Sequence, residues 1–231
     1  MTDQKFPLFV RAVAIDLDGT MLDTIEDLAT AVNLMLRDLK LPALDVELVR
    51  TFVGKGLSNL VERALRASLR REPNEAECEQ AMQVYIGHYD RVNGDTTTIY
   101  PGVREGLDAL SAAGYKLACI TNKAARFTGP LLERIGFARY FSLVVSGDTL
   151  PRKKPDPLPL TYAAEQFGVP TREMLMIGDS LNDTQAARSA GCPTFCVTYG
   201  YNEGHDVRTL DVDAIVASLV DAAGLIRRIQ S

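Results

Sequence analysis

Val10-Arg11-Ala12-Val13-Ala14-Ile15-Asp16-Leu17-Asp18-Gly19-Thr20 decides the fold. An apolar run rich in Val and Ile reads as a buried strand, here Val10–Asp16. Two carboxylates, two residues apart, stand at its carboxyl end, and a Gly-Thr turn follows. Placing Asp at the end of a buried strand is costly unless it serves a ligand or a cation. Open α/β sheets hold their sites at those ends.

The rest of the chain supplies the sheet. Strand-like runs at Lys116–Thr121, Leu143–Ser146, Met174–Gly178 and Thr194–Thr198 alternate with helical patterns at Val103–Ala113, Ala124–Ile135, Pro157–Phe167 and Asn182–Ala190. Gly114, Gly136, Gly168 and Gly191 each follow a helix, as C-terminal glycines do. The rhythm predicts an α/β fold with a doubly wound, Rossmann-like parallel sheet. Between Asp23 and Thr98 it stops. Thr24–Leu39, Asp45–Phe52, Ser58–Leu69 and Asn74–Val92 read as helices, with apolar residues at helical spacing such as Leu28, Val32, Met35 and Leu36. No strand is expected inside this stretch. The expected organisation is a core of residues 1–21 and 99–231 with an inserted all-α helical cap, residues 22–98. Beyond Asp206 one short strand near Ala214–Val216 and a last helix are expected.

Composition narrows the function classes. The 231 residues carry 25 basic and 30 acidic side chains, a net charge of -5. That balance gives no general attraction to nucleic acid or to an anionic membrane. No apolar run approaches the ~20 residues of a membrane span. Met1–Lys5 lacks a leader pattern, and the four cysteines, with no Cys-x-x-Cys, read as reduced, packed thiols. A cytoplasmic protein, monomer or homodimer, is expected. Only two histidines are present, and neither lies near a cysteine pair, which argues against a zinc site.

Four sets of residues fall at predicted strand ends and so share one edge of the sheet. They are Asp16 with Asp18, Thr121 with Asn122, Lys154 in the loop Thr149–Pro159, and Gly178-Asp179-Ser180-Leu181-Asn182-Asp183. Carboxylates gathered in one pocket repel each other and take up protons unless a cation joins them. Hard oxygen ligands suit Mg2+. A lysine offers a point charge for a dianion, and a hydroxyl and an amide offer oriented donors. One Asp able to attack phosphorus and another able to move protons complete a site for phosphoryl transfer. Lys154 rather than Lys153 is expected to point inward, because it precedes Pro155.

In these motifs, over nearly its whole length, the chain resembles the haloacid dehalogenase superfamily of phosphatases. Asp16-Leu17-Asp18-Gly19-Thr20 looks like its first motif, Thr121-Asn122 its second, Lys154 its third and Gly178–Asp183 its fourth. The resemblance implies that Asp16 is a nucleophile forming an aspartyl-phosphate. It implies that Asp18 protonates the leaving alkoxide and then deprotonates water. Asp16, the Asp18 carbonyl and Asp179 would hold Mg2+, and Thr121, Asn122 and Lys154 would grip phosphoryl oxygens. Asp183 would be an auxiliary metal residue, or simply a first-turn charge favoured by the helix dipole. The acid at Asp18 argues for phosphoryl chemistry over carbon–halogen cleavage. Asp23–Leu28, Phe52–Gly56, Leu150–Pro157 and Tyr199–Asn202 are similar to bacterial phosphoglycolate phosphatases. They imply a small anionic phosphorylated metabolite, 2-phosphoglycolate first. Another phosphatase substrate (an amino-sugar or nucleotide phosphate), a sugar-phosphate mutase and a non-catalytic binding module stay open beside it. Lys55 or Arg63, in the insert, would meet the substrate carboxylate or else be solvated charge. His88 and His205 are read as surface or packing residues.

Overall fold

The structure, a computed structural model, describes residues 6–229, so the leader reading of Met1–Lys5 lies outside the described residues. In chain order the strands are β1 Leu8–Val10, β2 Ala12–Ile15, β3 Leu22–Asp23, β4 Thr98–Ile99, β5 Lys116–Ile120, β6 Leu143–Val145, β7 Met174–Gly178, β8 Thr194–Val197, β9 Ala214–Val216 and β10 Ile226–Arg228. The α-helices are α1 Ile25–Asp38, α2 Val46–Arg50, α3 Leu57–Leu69, α4 Glu75–Val92, α5 Val103–Ala112, α6 Ala125–Ile135, α7 Leu158–Phe167, α8 Leu181–Ala190 and α9 Leu219–Gly224.

Six strands form one parallel sheet in the order β6-β5-β2-β7-β8-β9. β2 is central, with Ile15 opposite Cys119 on one side and Ile177 on the other. Its side chains alternate faces, as a pleated strand requires. Val13 and Ile15 pack with residues of α5, α6 and α9, whereas Ala12 and Ala14 pack with residues of α7 and α8. The chain leaves β2 toward β5 on one side and β7 on the other. This switch opens a crevice at its carboxyl end, where Asp16 begins.

The Val10–Asp16 run is not one strand. It breaks at Arg11, and β1 pairs instead with β10 in a separate parallel ribbon, a partner that local pattern does not reveal. The stretch from α1 to α4 is helical, with its own apolar cluster around Val32, Met35, Leu65 and Tyr85. Phe127 and Tyr201, from outside the stretch, join that cluster. α1 and α4 form its main pairing, and Asn74 starts α4 with a capping box to Glu77. The expectation of no strand needs correction at its margins. β3 and β4 form a two-residue antiparallel ribbon where the chain leaves and rejoins the sheet, with Leu22 opposite Ile99. Two residues a strand are too few to leave a period-2 pattern. Beside this ribbon, the buried Asp27 accepts from Gly94 N, Thr96 N and the Thr96 and Thr97 hydroxyls, tying α1 to the returning chain. No described helix is long and apolar enough to cross a membrane, and the four cysteines are free.

Candidate active site

Asp16 follows directly on β2, with its backbone N–H donating to Ile177 O at 3.0 Å. The chain then turns back on itself, and Gly19 N donates to Leu22 O at 2.8 Å. Gly19 lies at φ +87°, and a Cβ there would sit 2.6 Å from Asp179 Oδ2. Glycine is therefore required twice, by backbone angle and by space. The turn delivers the Thr20 hydroxyl to Asp179 Oδ1 at 2.8 Å, and the Tyr201 N–H donates to Asp179 Oδ2 at 2.8 Å.

Lys154 points inward and is 2 % exposed. Its ammonium lies 2.6 Å from Ile120 O, 2.6 Å from Asp183 Oδ1 and 2.9 Å from Asp16 Oδ1. Burial opposes its charge, but Asp16 and Asp183 outweigh burial and raise its pKa. Lys154 is thus a fixed cation. Asp183, fully buried, uses both oxygens. Oδ1 accepts from Lys154, and Oδ2 accepts from the Ser180 hydroxyl at 2.7 Å and the Ser180 N–H at 3.1 Å. It closes the first turn of α8 and orients Lys154.

Asp16, Asp179 and Asp183 each bring an oxygen within 4.8 Å of the others. Burial pushes the Asp16 carboxyl well above the usual carboxylate range. Lys154 draws it back, while Asp183 and Asp179 push it further up. Burial, followed by the Asp183 charge, raises Asp179 to about 7. Three buried carboxylates against one lysine leave a deficit of positive charge. The donor set, all hard oxygen, fits a small divalent cation.

Asp18 faces the other way. Its Oδ1 accepts from the Thr24 hydroxyl at 2.8 Å and from Lys123 Nζ at 3.1 Å. Lys123 is 4 % exposed and also donates to the Tyr89 hydroxyl of α4. Sequence reasoning stopped at Thr121-Asn122 and missed this residue. The available signal was a lysine directly after a strand-end motif, where an ordinary lysine is solvated.

A cavity of about 40 Å³ lies between these groups and the helical insert. Asp16, Asp18, Thr121, Asn122 and Lys123 line one side, and Leu28, Val53, Gly54, Leu57 and Leu60 the other. Thr121 is buried, and its hydroxyl oxygen accepts from the Lys123 N–H at 3.2 Å. The Asn122 amide is spent on backbone instead, donating to Gly54 O and Lys154 O, both at 2.8 Å. It thereby joins the Gly54 loop to the sheet edge and does not offer a free donor for phosphoryl oxygen.

Lys55 and Arg63 are not brought to this cavity. Both pair with Glu203, in the loop after β8, at 2.7 Å and 3.2 Å, and Arg63 lies over the Phe52 ring. The two pairs form a contact between the insert and that loop. His88 pairs with Asp38 inside the insert, away from the cavity.

A family model described as haloacid dehalogenase-like hydrolase matches residues 13–197. A phosphoglycolate phosphatase of Nitrosospira multiformis is 53% identical over 96% of this chain and 98% of its own. One from Thiobacillus denitrificans is 52% identical over 97% and 99%. Among solved structures, a predicted phosphoglycolate phosphatase from Haemophilus somnus superposes with a TM-score of 0.88 at 35% identity, covering 92% of this chain and 96% of that one.

Proposed function

The chain belongs to the haloacid dehalogenase-like hydrolases, and on that premise we propose that it hydrolyses 2-phosphoglycolate to glycolate and phosphate, with Mg2+, through an aspartyl-phosphate on Asp16. The observation that carries the chemistry is the placing of Asp16. It is buried at the carboxyl end of the central strand, 2.9 Å from the Lys154 ammonium, and lines a cavity with Asp18. The relatives that are 52% and 53% identical, named for phosphoglycolate, support the substrate.

In this reading an Asp16 oxygen attacks phosphorus, and the bond to the ester oxygen breaks. Asp18 gives its proton to the leaving alkoxide, then takes one from the water that attacks phosphorus of the acyl phosphate, breaking its bond to the Asp16 oxygen and releasing phosphate and the free carboxylate. Thr121 donates its hydroxyl hydrogen to a phosphoryl oxygen, and Lys154 sets its fixed charge beside the same group. Asp16, the Asp18 carbonyl and Asp179 would hold Mg2+, with Thr20 and Tyr201 N–H orienting Asp179 and Asp183 orienting Lys154. When bound, the ion offsets charge on the phosphoryl oxygens and on the clustered carboxylates. The cap, residues 22–98, closes over the core, residues 1–21 and 99–231, and excludes bulk water, with the β3–β4 ribbon as its hinge.

Phosphate release in Mg2+ across a panel of phosphorylated metabolites tests the reading, with Asp16→Asn as control. The expected result is the highest kcat/KM for 2-phosphoglycolate and a dead variant. Equal or better turnover of amino-sugar or nucleotide phosphates overturns the substrate. An isomeric sugar phosphate without free phosphate replaces hydrolysis with a mutase reaction.

A further inference from the structure

The cap supplies no cation to the cavity, since Lys55 and Arg63 are held by Glu203. Lys154 is committed to three oxygens on the Asp16 side. Among the described residues lining the cavity, Lys123 is the one cation. We propose that Lys123, from the sheet edge rather than from the cap, receives the substrate's carboxylate and sets the preference for an acidic leaving group. This rests on the 2-phosphoglycolate reading.

The geometry places the cation at the required end of the substrate. Asp18 must reach the ester oxygen, so it marks the leaving-group side of the cavity. Lys123 Nζ lies 3.1 Å and 3.4 Å from its two oxygens, and so on that same side. In 2-phosphoglycolate the carboxylate is separated from the ester oxygen by one methylene. A carboxylate there meets Leu28, Val53, Leu57 and Leu60 on the facing wall. Setting a charge against such a wall is costly unless a buried partner receives it. Lys123 has three ammonium hydrogens. One is directed to Asp18 and one to the Tyr89 hydroxyl, which leaves a third for the substrate. Tyr89, itself fully buried, fixes where that ammonium stands. Selectivity for acids would then be built into the core, while the apolar cap wall limits size.

The test compares 2-phosphoglycolate with ethyl phosphate, in which a methyl replaces the carboxylate, for wild type, Lys123→Met, Lys123→Arg and Lys55→Met in Mg2+. Both substrates lose rate in Lys123→Met, because Asp18 also loses its neighbour. The expected loss in kcat/KM is greater for 2-phosphoglycolate by about 30-fold or more, so the wild-type preference collapses. Lys123→Arg keeps part of the preference, and Lys55→Met leaves the ratio where it was. A ratio of two rates is insensitive to partial unfolding. Equal losses for both substrates in Lys123→Met, or a ratio that falls in Lys55→Met instead, overturn the assignment while leaving the substrate reading intact. A wild type that turns over both substrates equally overturns the two together.

Discussion

Replacing Lys154 with Met keeps the side-chain length and removes the charge. The ammonium is 2 % exposed and joins Asp16, Asp183 and Ile120 O within 2.9 Å. Its loss leaves two buried carboxylates without their cation. Breaking one buried pair by removing a partner costs about 3–5 kcal/mol. At 2–4 °C per kcal/mol for a chain of this size, Tm should fall by about 6–20 °C. The assay is thermal melting with a chelator present, so that no metal stands in for the missing charge. The loss should depend on pH in a definite direction. Burial already raises the folded Asp16 carboxyl above its unfolded value, and without Lys154 to draw it back it binds its proton more tightly still. The folded state then holds more protons than the unfolded one above about pH 4, and the variant loses stability as pH rises through that range. The deficit should therefore be larger at about pH 8 than at about pH 5. A fall of less than 2 °C at the higher pH, or a deficit that grows toward acid, would refute the ion-pair account.

Three further outcomes are expected. Glu203→Gln removes two partly exposed ion pairs to Lys55 and Arg63, together worth about 1 kcal/mol, so cap opening should rise about five-fold, read as faster proteolysis at the β3–β4 ribbon. Unchanged cleavage would deny these pairs any part in holding the cap. Tyr85 is fully buried in the apolar cluster of the α1–α4 stretch, and its hydroxyl has no hydrogen-bond partner among the described residues. Tyr85→Phe should raise Tm by about 2–4 °C, and a drop would show that the hydroxyl is satisfied in solution. Thr20→Val removes the 2.8 Å hydrogen bond to Asp179 and should weaken Mg2+ binding by about 10–100-fold by calorimetry, an unchanged affinity counting against Asp179 as a ligand.

Much of this fold was legible because its signals are local. β2, β5, β7 and β8 are almost wholly buried, so each reads as a short apolar run. Helices ending at Gly136, Gly168 and Gly191 announce their ends through glycine at positive φ. The convergence of Asp16 and Asp179 follows from strand ends, and Lys154 reaches them from the loop after β6. The remainder depends on tertiary partners. The break at Arg11 exists because Leu8–Val10 finds β10, more than 200 residues away. The β3–β4 ribbon is two residues deep and is held by its neighbours. Lys55 and Arg63 show their charge in the sequence, but their partner Glu203 comes from the loop after β8. Lys123 looks like an ordinary loop lysine until Asp18 and Tyr89 enclose it. In each case charge or periodicity was visible, but the partner was not.

The central claim is that the buried carboxylate of Asp16 carries the phosphoryl group. The most direct measurement is a rapid quench during turnover of 2-phosphoglycolate, followed by borohydride reduction of any acyl phosphate and peptide mass spectrometry. The account predicts that the side chain of residue 16 is recovered as the reduced alcohol, and that Asp16→Asn shows no such product and a rate lower by about 10^4-fold or more. Reduction at another carboxylate, or none while wild-type turnover continues, would contradict it.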